Sequence, residues 1–300
     1  MERDLTPGLL EWAQSLAGPV VRCHDVSWSH GNSDVTRLDL ASGEAAYVKR
    51  YRARGKFEQE RRAYVEWCPR LSHCAPFLGA IEAPAMAIAV GAVPGSPLLG
   101  RSGRGPRSLP VEDQRHAYRR AGLFLANLHG LDAEDDDPAP IPEAWRLRAR
   151  TWAARAGAIL PPEDVQGVRG LVEAPWPEGT PVPKRVPCHR DFTERNWLVE
   201  GDDFTVIDFE HARMDWSLVD VERALSAIPK GGDGLGQAFL EGYGWGDSLQ
   251  DGNLLRRVTA VAAFSQVVWA VEQGDGAFER AGRDRLRRCL DADSESRRLR

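Results

Sequence analysis

Between residues 20 and 93 the chain reads as short apolar runs of strand length separated by polar turns, at 20–26, 35–40, 45–49, 76–83 and 85–93. One helix interrupts them at about 56–67, where Phe57, Tyr64 and Trp67 recur at helical spacing, and a shorter one over 5–17 starts at Thr6-Pro7. Beyond residue 94 the period changes. Residues 111–131 form an amphipathic helix with Ala117, Ala121, Leu123, Phe124, Ala126 and Leu128 as its apolar face, ended by Gly130. Further helices are predicted at about 142–160, 162–173, 217–228, 235–242 and 254–273. Two segments read as connectors: the Gly/Pro/Arg-rich stretch 95–110 and the proline-rich link 174–187. The pattern predicts an α+β chain in two lobes. Residues 1–93 form an antiparallel sheet with one main helix, and residues 94–300 form a larger, mainly helical lobe.

One hairpin stands apart inside the helical half. Asn196-Trp197-Leu198-Val199 and Phe204-Thr205-Val206-Ile207 flank the turn Gly201-Asp202-Asp203, so Asn196 and Asp208 return to one end. The loop Cys188-His189-Arg190-Asp191 lies just before it. A carboxylate, a carboxamide and a second carboxylate thus converge. Phosphoryl transfer needs such a set, because its loose transition state calls for positioning and charge neutralisation more than covalent help. Magnesium takes hard oxygen ligands, which Asp208 and Asn196 can supply. Asp191 is left to orient an attacking hydroxyl. A polar loop beside an Asp-rich turn is the plain alternative, and it does not account for the whole ordered set.

The order His189-Arg190-Asp191, then Asn196, then Asp208-Phe209 resembles the protein-kinase catalytic signature. The chain as a whole resembles the aminoglycoside phosphotransferase family, small-molecule kinases with a protein-kinase-like fold. Ile207-Asp208-Phe209-Glu210, Leu128-His129-Gly130, Pro94-Gly95-Ser96-Pro97-Leu98 and Gly242-Tyr243-Gly244 extend the likeness over about residues 30–270. Two positions depart from the family's usual pattern: Arg190 stands where glycine is usual, and Phe209 where tryptophan is usual. The resemblance implies that Asp191 is the catalytic base, that Asn196 and Asp208 bind magnesium, and that His189, Arg190 and Asp220 support the loop. It also implies that Glu210 touches the outer metal shell.

The small lobe is then expected to hold ATP, or GTP in its place. Lys49 ends an apolar strand in a chain with 4 lysines against 35 arginines, and a compact ammonium suits the α- and β-phosphates. A buried ammonium needs a partner. Of Glu58 and Glu60 on the next helix, Glu60 lies closer to the inward stripe. The turn at 28–34 carries a single glycine, so Ser29, Asn32 and Ser33 are the expected phosphate cradle.

Composition narrows the class. No run approaches the roughly 18 apolar residues of a membrane span, and residues 1–4 lack a signal pattern, so a cytoplasmic location is expected. Five irregularly spaced cysteines indicate neither a disulfide framework nor a zinc site. The net charge of −5 is uneven: residues 1–93 are neutral, 94–276 carry −8, and 277–300 carry +3. Acid in the acceptor-binding part favours a small cationic, hydroxylated acceptor and argues against nucleic acid. Asp132 to Asp137, Asp215, Asp233, Glu272 and Asp275 are candidates for an acidic rim, and the Arg-rich tail from Gly282 is expected to fray. The leading expectation is a kinase of a cationic antibiotic, an aminoglycoside or a basic peptide. A metabolic kinase for choline, an amino alcohol or a sugar is the alternative, and a non-catalytic binding module is the third reading.

Overall fold

Strand alternation builds the first layer of the computed structural model, which describes residues 5–28, 33–99, 109–135, 137–228, 232, 234–245 and 252–298, with backbone alone for 252 and 292–298. Strands β1 (Val20–Asp25), β2 (Ser33–Leu40), β3 (Ala45–Tyr51), β4 (Phe77–Ile81) and β5 (Ala87–Gly91) form one antiparallel sheet in the order β1-β2-β3-β5-β4. Leu38, Leu40, Ala46, Val48, Ala87 and Ala89 fill one face, and helix α1 (Pro7–Ala17) covers it with Leu9 and Ala13. Helix α2 (Arg54–Arg62) runs on into a π-helical turn, Ala63–Trp67, so the helix expected at 56–67 is present with a change of winding.

Helix α3 (Val111–His129) buries Ala117, Tyr118, Ala121, Gly122, Phe124, Leu125 and Leu128. Leu123, expected on that face, is 54% exposed. Its place belongs to Tyr118 and Leu125, because the helix packs against α7 (Leu235–Tyr243) at backbone distance. A Cβ on Gly122 would meet the carbonyl oxygen of Phe239 at 2.1 Å, and one on Gly242 would meet that of Arg119 at 1.9 Å. Strands β8 (Trp197–Glu200) and β9 (Asp203–Val206) form the predicted hairpin. The segment read as a connector contributes β6 (Ser96–Pro97), which pairs with β8. A short strand absent from the sequence reading, β10 (Arg213–Asp215), pairs with β7 (Val186–Cys188).

The chain divides into two compact units. One comprises residues 1–132, 187–214 and 223–244, and the other 133–186, 215–222 and 245–300. The five-stranded sheet and the β8–β9 hairpin thus share a unit. The second unit is helical: α4 (Ile141–Ala156), α5 (Pro162–Glu173), α8 (Gly252–Gln273) and α9 (Gly276–Arg298). Helix α6 (Leu218–Ala227) supplies residues to both units. Residues Asn253–Gln273 are long and apolar enough to cross a membrane, contrary to the sequence expectation, but 56% of the most apolar window is buried. Val258, Val261, Phe264, Val267 and Val268 form the core of this unit with Trp145, Val168 and Leu286. The Arg-rich tail does not fray at Gly282. It continues as helix α9 to Arg298, held by buried Leu286 and Cys289.

Candidate active site

The alternation that points Ala46 and Val48 at α1 points Lys49 and Tyr51 to the opposite face of the sheet. There α2 presents Glu60, itself buried. Lys49 Nζ lies 2.8 Å from Glu60 Oε2 and 2.9 Å from Glu210 Oε2, and it also donates to Asp208 Oδ1. Glu60 accepts two more hydrogen bonds, from the Tyr51 hydroxyl at 2.5 Å and from the Phe209 backbone N–H at 3.2 Å. Glu58, the alternative partner, is exposed and pairs with Arg54 at 2.6 Å.

One ammonium therefore faces three carboxylates. Burial works against the charge on Lys49, but attraction from Asp208, Glu60 and Glu210 outweighs it and holds the ammonium well above its ordinary pKa. Burial lifts Glu60, with Lys49 pulling it down and Asp208 pushing it up, and the net direction is upward. Glu210 moves the other way. Its burial is outweighed by the hydrogen bond from His211 and by Lys49, so its carboxyl lies well below the usual range. Lys56 contacts His211 Nδ1 at 2.7 Å, and burial lowers its pKa.

The loop is braced against the hairpin by its own backbone. The Ile207 N–H donates to the Asn196 carbonyl at 3.0 Å. The Asn196 carboxamide donates to the Asp191 carbonyl at 2.9 Å and to Asp191 Oδ2 at 3.3 Å. His189 is fully buried. Its Nδ1 lies 3.4 Å from the Asp191 backbone nitrogen, and its Nε2 donates to the Ile207 carbonyl at 3.0 Å. Arg190 and Asp208 both adopt left-handed backbone, φ +65° and +69°. Side-chain-bearing residues hold that conformation where their surroundings over-determine it, and such positions cluster at functional sites.

Asp191 has a partner that the sequence reading missed. Arg223, on α6, donates to Asp191 Oδ1 through Nη2 at 2.8 Å and Nε at 3.3 Å. Burial would raise the Asp191 pKa, but Arg223 outweighs it, aided by His211 and His189, and the carboxyl is held below its usual value. The available signal was spacing, since Arg223 follows Asp220 by one helical turn.

Other expected residues are placed as follows. Ser33 is buried at the start of β2, and its hydroxyl lies 3.5 Å from Glu210 Oε2. Ser29 and Asn32 lie outside the described residues. Asp220 is fully buried on α6. His129 bonds the Tyr243 hydroxyl through Nδ1 at 2.7 Å, with Cys188 Sγ 3.9 Å from Nε2. Four of the acids expected to form an open rim are ion-paired. Arg185 holds Asp135 at 3.3 Å and Asp137 at 2.8 Å, Arg148 holds Asp215 at 2.7 Å, and Arg155 holds Glu272 at 2.5 Å. Asp136 and Asp233 lie outside the described residues. A sum of formal charges did not reveal this local neutralisation by arginine.

The donor set suits a hard divalent cation. Among the described residues, one carboxylate oxygen from each of Glu60, Asp208 and Glu210 lies within 4.8 Å of the other two. The grouping differs from the expected pair of Asn196 and Asp208, for it brings in Glu60 and Glu210. Asn196 turns its carboxamide nitrogen to Asp191, which leaves Oδ1 as its ligand atom.

The sequence model of a phosphotransferase enzyme family matches residues 27–256. The chain belongs to that family. This phosphotransferase has the fold of kinase-like relatives at low identity. The apoenzyme of macrolide 2'-phosphotransferase MphH from Brachybacterium faecium is 21% identical, with a TM-score of 0.65 over 94% of this chain and 98% of that one. A thermostable mutant of aminoglycoside phosphotransferase APH(4)-Ia, in a ternary complex with ADP and hygromycin B, is 13% identical. Its TM-score is 0.71 over 95% of this chain and 98% of that one. A choline/ethanolamine kinase family protein from Mesorhizobium loti is 17% identical, with a TM-score of 0.65 over 93% and 92%. Among curated proteins, none matches the chain. The phosphotransferase fold is two-part, with an antiparallel sheet and a helical portion, as the sequence pattern predicts.

Proposed function

We propose that this phosphotransferase moves the γ-phosphoryl group of ATP, or of GTP, to a hydroxyl of a small cationic antibiotic and so confers resistance. The observation that carries the reading is the excess of carboxylate around Lys49, three acids to one ammonium, beside a loop carboxylate tied to the same hairpin. Such an excess calls for a further cation, and nucleotide phosphates arrive with one. Asp208, Glu210 and Asn196 Oδ1 would hold magnesium, which when bound neutralises phosphate charge. Lys49 takes the nucleotide phosphates, and Glu60 keeps it in place. Asp191 accepts the hydrogen bond of the acceptor hydroxyl. The hydroxyl oxygen bonds to the γ-phosphorus, the bond to the leaving diphosphate breaks, and the hydroxyl proton passes to Asp191 and then to solvent.

The added phosphate brings about −1.5 to −2 charges, which would weaken binding of a cationic drug to anionic RNA. Two of the similar structures carry antibiotic phosphotransferase names and one is a choline/ethanolamine kinase family protein. The alternative is a metabolic kinase for choline, an amino alcohol or a sugar, and the neutral sugar is favoured by one observation, the pairing of rim acids with arginine. The reading places the enzyme in the cytoplasm, where nucleotide and magnesium meet the drug. The test is a panel of hygromycin B, gentamicin, kanamycin A, a macrolide, choline and a sugar, each incubated with ATP and magnesium and weighed for a phosphate adduct. Adducts on choline or the sugar alone would replace the antibiotic reading with the metabolic one.

A further inference from the structure

The Asp191 carboxylate is held from two sides. Asn196 donates to Oδ2 at 3.3 Å, and Arg223 donates twice to Oδ1, at 2.8 and 3.3 Å. Both partners are themselves placed by rigid elements, the hairpin entry and helix α6. Two donors on opposite oxygens set the plane of the carboxylate as well as its position. Charge-assisted bonds of this kind are short and directional. Arg223 is one-third exposed, as is Asp191. A guanidinium has five N–H donors, and the bonds to Asp191 use those of Nε and one of Nη2. The guanidinium is thereby fixed 2.8 Å from the carboxylate that would receive the acceptor hydroxyl.

We propose that Arg223 is a positioning and specificity-determining residue. It fixes the plane of Asp191, and it reserves the space beside the reacting hydroxyl for an acceptor oxygen and not for an ammonium. The inference rests on the phosphotransfer reading and deepens it, because it states what must neighbour the hydroxyl that is phosphorylated. A hydroxyl, ether or carbonyl oxygen there accepts a hydrogen bond from the guanidinium. An ammonium there meets a fixed cation in a partly desolvated place, where like charges are strongly disfavoured. Positive charge elsewhere on the acceptor is unaffected.

The test compares Arg223→Ala, Arg223→Lys and the parent full-length chain, with magnesium-ATP affinity by calorimetry as the control for folding. The acceptors are water, read as slow ATP hydrolysis, and the pair kanamycin A and kanamycin B, which carry a hydroxyl and an amine respectively beside the 3' hydroxyl. Loss of the fork should lower turnover on every acceptor, water included, by about 10- to 100-fold in both variants while nucleotide KM stays within about twofold. Preference for kanamycin A over B, as the ratio of kcat/KM, should fall about tenfold in Arg223→Ala and persist in Arg223→Lys, since lysine keeps the charge. A residue that merely supported the helix would not separate the two variants in this way. Unchanged hydrolysis and an unchanged ratio in a well-folded Arg223→Ala would overturn the proposal. If neither kanamycin takes a phosphate, the amine-exclusion claim is carried to whichever panel acceptor does. If no acceptor does, the acceptor reading fails, and the hydrolysis rates still decide the positioning claim.

Discussion

Glu60 Oε1 accepts the backbone N–H of Phe209 at 3.2 Å, joining α2 to a turn 149 residues further along the chain. The other oxygen of the same carboxylate holds Lys49 and Tyr51. One buried side chain therefore links Lys49, the sheet and the left-handed Asp208 turn. Removing it leaves an ammonium, a hydroxyl and an N–H short of a partner.

Glu60→Ala is accordingly expected to cost stability as well as activity. Breaking a buried, hydrogen-bonded ion pair costs about 3 kcal/mol or more. The expected result is a lower urea midpoint and a sharp fall in turnover. Glu58→Ala, which removes only an exposed pair with Arg54, should change stability by less than about 0.5 kcal/mol. Equal midpoints for the two variants would refute the buried role of Glu60.

Asp191→Ala and Asp208→Ala should fail in different ways. Loss of the general base typically lowers turnover by about 10²- to 10⁴-fold, and Asp191→Ala should still bind magnesium-ATP. Asp208→Ala should instead lose the metal-dependent part of nucleotide affinity, because a hard oxygen ligand is gone. Isothermal calorimetry with and without magnesium separates them, and unchanged binding in Asp208→Ala would remove it as a ligand.

Lys49→Met tests the phosphate contact. Turnover should drop sharply. The three carboxylates would then face one another without their cation, so folding stability should fall too, by more than an isosteric apolar swap would cost on packing grounds alone. Normal turnover in this variant would move the role to Lys56.

Two glycines in helices should respond to alanine with opposite signs. Gly122→Ala forces a Cβ into the Phe239 carbonyl, and α3 and α7 must part, so a loss of about 3 kcal/mol or more is expected. Gly170→Ala on α5 meets nothing within 4 Å and should gain roughly 0.5–1 kcal/mol of helix stability. Urea titration of both variants reads the difference.

Local pattern carried much of this protein. The strands of the sheet, the hairpin at 196–207 and most helices were legible because apolar period and turn residues are properties of neighbouring positions. The ordered set His189, Asp191, Asn196 and Asp208 was legible for the same reason, since one loop and one hairpin hold all of it. Glu60 could be chosen over Glu58 because helical spacing places it near the buried stripe.

Contacts between distant segments were decided by the fold alone. Leu123 satisfies the helical period yet faces out, because the approach of Gly122 to α7 turns the helix by its own geometry. The tail is rich in arginine, which signals a solvated end, but Leu286 and Cys289 dock it on the helical core. Charge was the least legible property. A sum over residues 94–276 gives −8, while Coulomb energy depends on separation, and Arg148, Arg155 and Arg185 sit on the acids that would have made the rim. By the same rule, Arg223 becomes the partner of Asp191 only when α6 brings it within 2.8 Å across 32 residues of chain.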